Sequence, residues 1–199
     1  MNEANQGNKL WFFLVPLGFF LVLAFFLFQG LYADPRQRDS VIVNKTLPVF
    51  ALNDLMDEKK TWHKASLIGE TFLLNVWGTW CVTCDRELPY LTTLRQQGIK
   101  IIGLYYDQSD PDFGESLNIK QLRAGVNEKL SRLGDPYQFN MFDESRGMLL
   151  DLGVTGAPET FLVDKQGVIR VHHLGDVNPR VWERKFAALY TQLSKGDKQ

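Results

Sequence analysis

Cysteine is nearly missing from this chain: two residues in 199, Cys81 and Cys84. Two thiols cannot build the disulfide framework of a small secreted domain, nor can they fill a four-thiolate zinc site. An excess of either charge is missing as well. Charged residues make up 23% of the chain and sum to a net −1. With no basic run and no Arg-rich arm, nothing points to a nucleic-acid partner. There is no internal repeat and no low-complexity tract. With the N-terminal region set aside, what remains is the size of one domain, long enough to bury a core without cross-links.

Only one long hydrophobic run is present. Leu10 to Phe28 (LWFFLVPLGFFLVLAFFLF) holds 19 residues without a charge. As a helix it spans roughly 28 Å, against a hydrocarbon thickness of ~30 Å. A cleaved signal peptide has a shorter apolar run, ~7–15 residues, and a small-residue cleavage site. Leu31-Tyr32-Ala33 fits such a site poorly. The expectation is therefore an uncleaved transmembrane anchor in residues 1–30, held in the lipid bilayer, rather than a signal peptide or a buried soluble helix. Pro16 and Gly18 are tolerated in membrane helices. Lys9 on one side and Arg36 and Arg38 on the other leave the orientation open. Residues 31–45, with the polar stretch Tyr32 to Ser40, read as a linker, and residues 46–195 as the domain.

Within the domain, Thr71 to Trp77 (TFLLNVW) and Ile99 to Tyr105 (IKIIGLY) are short apolar runs of the kind that form buried strands. Between them Val82 to Gln97 favours helix, with Leu88, Leu91 and Leu94 as its apolar stripe and Gly98 placed to end it. This βαβ unit implies a parallel pair with a right-handed crossover. Asp107 to Gly114 reads as a polar loop, Asn118 to Leu133 as a helix with a weak point at Gly125, and Phe139 to Phe142 as a short strand. Thr160 to Asp164 and Val168 to His172 alternate around the turn Lys165-Gln166-Gly167, which predicts an antiparallel hairpin. Asn178-Pro179 then supplies an N-cap and a first helical residue, and Trp182, Phe186, Leu189 and Leu193 fall on one face of a closing helix. The order predicts an α/β fold, a central mixed sheet flanked by helices on both faces.

The chemistry rests on where the two cysteines stand. Thiol exchange needs an attacking thiolate and a resolving thiol close to it. Cys81-Val82-Thr83-Cys84 follows a buried strand and opens a helix. Its first thiol meets the unpaired N–H groups and positive end of the helix dipole, which lowers its pKa. Its second lies one turn further in. Cys81 is thus expected to attack and Cys84 to resolve. A bare C-x-x-C also admits a structural disulfide, or half of a Cys2His2 metal site completed by His172-His173. The histidine pair is better explained as strand residues, one facing in and one out.

Trp80-Cys81-Val82-Thr83-Cys84 resembles the active site of thioredoxin-fold proteins. The runs Leu73-Leu74-Asn75-Val76-Trp77, Gly153 to Phe161 (GVTGAPETF) and Gly175 to Trp182 (GDVNPRVW) are similar to one branch, the CcmG/DsbE thiol–disulfide interchange proteins of cytochrome c maturation. The resemblance covers roughly Thr46 to Leu193, plus the anchor. It implies a thioredoxin-like fold and a periplasm-facing domain on the bacterial inner membrane, which settles the orientation. It implies a reductant, with no cofactor beyond the Cys81–Cys84 disulfide and no metal. The expected substrate is the haem-site cysteine pair of apocytochrome c, or a cytochrome c maturation protein. The expected donor is a membrane electron carrier of the DsbD/CcdA type.

By motif, Pro158 matches the cis-proline that faces the active site, leaving the Ala157 backbone to pair with an extended substrate chain. Glu159 and Glu87 match acidic residues expected near the thiols, where a carboxylate opposes thiolate formation and can take part in proton transfer. Taken alone, each would read as a solvated surface residue. Asn75 aligns with the buried acidic residue of thioredoxin, so proton handling shifts to the glutamates. Trp80 is expected to flank the reactive sulfur, simple packing being the alternative, and Pro89 sits at the helix-kink position. Two features depart from the branch: Val82 stands where Pro is frequent, and Asp107 to Leu133 is longer than usual. Three rivals share the fold. A general external thiol reductase or oxidase is the nearest. A second is a membrane-tethered module that delivers copper or holds unfolded apoprotein without turnover, though copper-delivery relatives of this fold use C-x-x-x-C spacing with a distant His; a thiol peroxidase, hinted at by Leu47-Pro48-Val49-Phe50, would need a P-x-x-x-[ST]-x-x-C context that is absent.

Overall fold

A computed structural model describes residues 7–32, 40–108 and 118–195. The chain divides into two units, the second beginning at Ser40. The first is the helix α1 (Gly7–Tyr32), 26 residues with Pro16 inside it. Its stretch Trp11–Gln29 is long and apolar enough to cross a membrane. Phe12, Phe19, Leu21 and Phe26 all present exposed apolar surface, so no single stripe is apolar. That pattern suits a helix surrounded by an apolar medium rather than one packed on a core by one face.

The second unit is built on seven strands: β1 (Ala51–Asp54), β2 (Thr61–His63), β3 (Phe72–Trp77), β4 (Ile101–Tyr105), β5 (Asn140–Phe142), β6 (Glu159–Val163) and β7 (Ile169–Leu174). They form one sheet in the order β2-β1-β5-β4-β3-β6-β7. The helices are α2 (Lys64–Leu67), α3 (Val82–Gln96), α4 (Ile119–Leu133), α5 (Gly147–Leu152), α6 (Pro179–Val181) and α7 (Ala187–Lys195). β3 and β4 run parallel across α3, and β4 and β5 are also parallel. β6 pairs antiparallel with both β3 and β7. The sheet is therefore mixed, as expected.

All six residues of β3 are buried, because a central strand covered on both faces has no solvent side; this is why it reads as an unbroken apolar run. Its alternation sorts residues into two layers. Leu73 and Trp77 join Leu88, Leu91 and Leu94 of α3, Val126 and Leu130 of α4, and Trp182, Phe186 and Tyr190 near the C-terminus. Phe72, Leu74 and Val76 point the other way, onto Leu67 of α2 and Met148, Leu149 and Leu152 of α5. Each fully buried leucine contributes about 1.5–3 kcal/mol relative to exposure.

Three features differ from expectation. The β1–β2 hairpin extends the sheet at an edge the sequence did not reveal, pinned by Trp62, which stacks on Phe139 at 3.6 Å and donates to Asp54 at 2.9 Å. The closing helix starts as expected, Asn178 accepting from the Val181 amide at 3.1 Å, but a π-helical turn spans Trp182–Phe186 before α7 resumes. Its extra residue rotates the inner face, so Tyr190 is buried while Leu189 and Leu193 sit at the layer's margin. Finally, residues 40–45 of the expected linker belong to the folded unit. Asn44 donates to the Ile169 carbonyl at 2.7 Å and Ile169 to that of Lys45 at 2.9 Å, tying this segment to β7. Residues 33–39 of the linker and most of the expected loop Asp107 to Gly114 lie outside the described residues.

Candidate active site

β3 carries the chain to one end of the sheet, and Gly78-Thr79-Trp80 turns it into α3. A side chain at Gly78 would strike the Trp80 indole, which folds back over this turn. The indole is fixed there: its N–H donates to the Tyr106 carbonyl at 3.0 Å and its ring meets Tyr106 edge-on at 5.0 Å. Thr79 and Tyr105 share a hydrogen bond of 2.8 Å between their hydroxyls.

Cys81 is the N-cap of α3, its backbone extended (φ −85°, ψ 101°) while its sulfur accepts from the Cys84 amide at 3.1 Å. The two cysteines are joined by a disulfide with Cα atoms 5.3 Å apart. Cys81 keeps 3% of its surface in solvent and Cys84 none, so Cys81 is the one nearer the surface and the one an incoming disulfide meets first. When the bond opens, the Cys81 sulfur is left facing the amide-rich first turn, where a thiolate is favoured. Asp85, next in the first turn, is ion-paired with Lys129 of α4, which offsets its charge beside the sulfurs. Val82, between the cysteines, is 80% exposed and gives the rim of the site an apolar surface.

The Ala157–Pro158 peptide bond is cis. Because Val76 pairs with Glu159 across the antiparallel β3–β6 ladder, the loop before Glu159 comes to the same end of the sheet as the Gly78-Thr79-Trp80 turn. The Pro158 carbonyl accepts from Gly175 at 2.9 Å, and Ala157 lies against the layer that contains both cysteines.

Glu159 was expected to share in proton transfer. Its carboxylate has a different occupation. One oxygen accepts from the Thr155 amide (2.8 Å), the Thr155 hydroxyl (2.7 Å) and the Gly156 amide (3.1 Å). The other is 2.7 Å from His172 Nε2, whose Nδ1 is 2.7 Å from the Ser40 hydroxyl. Burial alone would raise the acid, but these bonds outweigh it and hold it below its ordinary value. Glu159 is thus a fixed anion that shapes the cis-proline loop. The histidines contact different layers: His172 stacks on Phe161 at 4.2 Å, and His173 meets Phe186 edge-on at 6.1 Å. Both are thus covered, in place of one in and one out.

Glu87 is shifted in the opposite direction from Glu159. It lies on α3 one turn after Cys84 and is 1% exposed. Burial drives its pKa from 4.5 up to about 8, against the lowering effect of bonds from Val177 and Asn75. The Val177 amide donates at 2.8 Å and the Asn75 amide group at 2.9 Å. Asn75 also donates to the Thr160 hydroxyl at 3.0 Å and accepts from the Tyr137 hydroxyl at 2.7 Å. An acid with this affinity exchanges its proton near neutral pH, which suits a partner of the resolving thiol. Sequence reasoning missed Tyr137, Thr155 and His172. Tyr137 lies 62 positions from Asn75 and His172 lies 13 from Glu159, so no local spacing marks either; Thr155 stands four residues before Glu159, and that short spacing is the one signal that could have found it.

A disulfide that opens to a stabilised thiolate at one sulfur and a buried thiol at the other performs one kind of chemistry, two-electron thiol–disulfide exchange. On this sheet it makes the second unit a thioredoxin-fold thiol–disulfide oxidoreductase. The Redoxin family model matches residues 42–193. Thiol:disulfide interchange protein DsbE of Vibrio cholerae serotype O1 is 42% identical over 191 residues, covering 91% of this chain and 97% of that one. The Yersinia pestis DsbE is 40% identical over 200 residues, covering 98% of this chain and 100% of that one. A secreted thiol-disulfide isomerase from Corynebacterium glutamicum shares the fold, with a TM-score of 0.57 at 18% identity over 84% of this chain and 97% of the other. The chain belongs to the DsbE family of thiol:disulfide interchange proteins.

Proposed function

We propose that the protein is a membrane-anchored reductant facing the periplasm from the bacterial inner membrane, acting on the haem-site cysteine pair of apocytochrome c or on a cytochrome c maturation protein. The Cys81 thiolate attacks the substrate disulfide, forming a mixed disulfide and releasing one substrate thiolate. Cys84 then gives up its proton and attacks the Cys81 sulfur, releasing the second substrate thiolate. Two electrons pass to the substrate, and Cys81–Cys84 is left oxidised. Glu87 accepts the Cys84 proton. The backbone at Ala157, beside the cis Pro158, pairs with the substrate chain, and Glu159 holds that loop in shape. A membrane electron carrier of the DsbD/CcdA type reduces the pair again.

The observation that carries this reading is the asymmetry of the cysteines: Cys81 alone reaches solvent, at the N-terminus of α3. Family membership and the apolar helix Trp11–Gln29 support the place and the substrate. The experiment is trapping. In Cys84→Ala, Cys81 can attack but nothing resolves the product, so partners accumulate as mixed disulfides in cells making c-type cytochromes. An apocytochrome or maturation protein, together with a membrane reductant, is the expected catch. Recovery of unrelated external proteins alone overturns the specific assignment. A reduction potential near the ~−120 mV of a strong oxidant would overturn the direction.

A further inference from the structure

We infer that Tyr137, in the segment between α4 and β5, is a positioning residue for the redox centre: its hydroxyl locks the Asn75 side-chain amide in the orientation that presents N–H to Glu87. The inference rests on the reading of Glu87 as the proton acceptor for Cys84, and names the residue that sets how readily it does so.

Asn75 faces three partners at once: Glu87 at 2.9 Å and Thr160 at 3.0 Å on its nitrogen side, and Tyr137 at 2.7 Å on its oxygen side. All four residues are buried, and the Asp176 carboxylate, in the segment after β7, adds a like charge that raises Glu87 further. A side-chain amide can turn over, exchanging oxygen for nitrogen. With nitrogen towards Glu87 it stabilises the carboxylate. Turned over, it offers an oxygen, which only the protonated acid can use. The Asn75 orientation therefore selects the charge state of Glu87.

Tyr137 decides between the two. In the observed orientation its O–H donates to the Asn75 oxygen. In the reverse orientation the Asn75 nitrogen would donate to the phenol oxygen, and the phenol's own hydrogen would lose this acceptor inside the protein, an unfavourable arrangement for a buried donor. Burial, with the Glu87 charge second, keeps Tyr137 a neutral phenol well above its ordinary range, so the donor is present throughout the working pH range. Its ring is fixed by stacking on Trp77 with centroids 4.9 Å apart. Trp77 is itself tied to Asn140 at 2.8 Å. A rigid aromatic pair at the end of one sheet layer thus sets the proton affinity of an acid on the redox helix.

The test uses the oxidised, detergent-solubilised full chain, in which no thiol titrates. Glu87 is followed by the protonated-carboxyl infrared band that Glu87→Gln removes. Tyr137→Phe keeps the ring and removes the donor. The expected result is a Glu87 midpoint raised by about half a pH unit or more, roughly threefold in proton affinity. Asn75→Ala cuts the link from the other side. It should raise the midpoint too, and in its background Tyr137→Phe should add nothing. An unmoved midpoint in Tyr137→Phe, or an additive effect on top of Asn75→Ala, overturns the inference. A second readout separates it from the reading beneath it: the pH profile for resolution of a preformed mixed disulfide at Cys81, expected to move with the infrared midpoint. If the midpoint moves and the profile does not, Glu87 is not the proton acceptor, and Tyr137's part in the reaction falls with it.

Discussion

Replacing Glu87 by Gln should make the oxidised protein more stable at alkaline pH, although it removes a buried, fully hydrogen-bonded side chain. The sign follows from linkage. Glu87 has a folded-state pKa of about 8 against 4.5 in the ordinary state. Between those values the folded chain holds a proton that the unfolded chain has released, so stability falls as pH rises from about 4.5 to about 8 and is level above. The displacement corresponds to about 5 kcal/mol at most; water entry on ionisation reduces what is realised, and a loss of about 2–4 kcal/mol across the window is expected. Gln is neutral at every pH. It can accept the Val177 amide as Glu87 does, but its own N–H group then meets the Asn75 amide that Tyr137 holds in place, a cost present at every pH. The assay is urea unfolding of oxidised wild-type and Glu87→Gln chains in detergent at a series of pH values. The difference between the two curves isolates Glu87 from every other titrating group. Gln should lie level with or below wild type near pH 5 and above it by pH 9. Parallel profiles would show that the acid ionises in the folded state without penalty, and the account of Glu87 as a proton partner with near-neutral affinity would fail.

Glu159→Gln should act in the opposite sense: its carboxylate receives three donors from Thr155 and Gly156 and contacts His172, so losing the charge should cost about 1–3 kcal/mol. Because its folded pKa is lowered, that contribution is present above the ordinary carboxylate pKa and is lost as pH falls through the folded value, so the variant's urea midpoints should converge on wild type in acid. Gly103→Ala should destabilise by about 2–3 kcal/mol, since the added carbon collides with the Asn140 side chain and comes within 2.9 Å of the Trp77 indole nitrogen; thermal melting reads this directly. Gly78→Ala should push Trp80 off its turn and break its 3.0 Å bond to the Tyr106 carbonyl, seen as a red-shifted tryptophan emission and a loss of about 1 kcal/mol.

The parts of the fold legible in the sequence are those whose burial leaves a continuous mark. β3 and β4 are covered on both faces, so their apolar runs stand out, and α3 carries Leu88, Leu91 and Leu94 at helical spacing between them. The hairpin around Gly167 announces itself by alternation and by a glycine that takes a positive φ of 78°. β1, β2, α2 and α5 are too short to carry a period, and a π-helical turn cannot be read from a pattern that assumes regular helix. The cysteines were legible because strand, turn and helix are contiguous there. The acid network was not: Tyr137 reaches Asn75 across 62 positions, and Val177 reaches Glu87 across 90. The resemblance placed both glutamates near the thiols, but which one holds a near-neutral proton depends on the burial of Glu87 and on the contact of Glu159 with His172 of β7, and both of these arise only in the fold.

The two sulfurs differ in kind, one a thiolate at the surface end of α3 and the other a shielded thiol. Alkylation of the fully reduced chain with iodoacetamide at neutral pH, followed by peptide mass mapping, tests this difference most directly. Cys81 should be modified quickly, with a rate that falls as pH drops through a midpoint below that of a free thiol, while Cys84 stays unmodified until the protein is unfolded. Equal labelling of both cysteines, or preferential labelling of Cys84, would contradict the account.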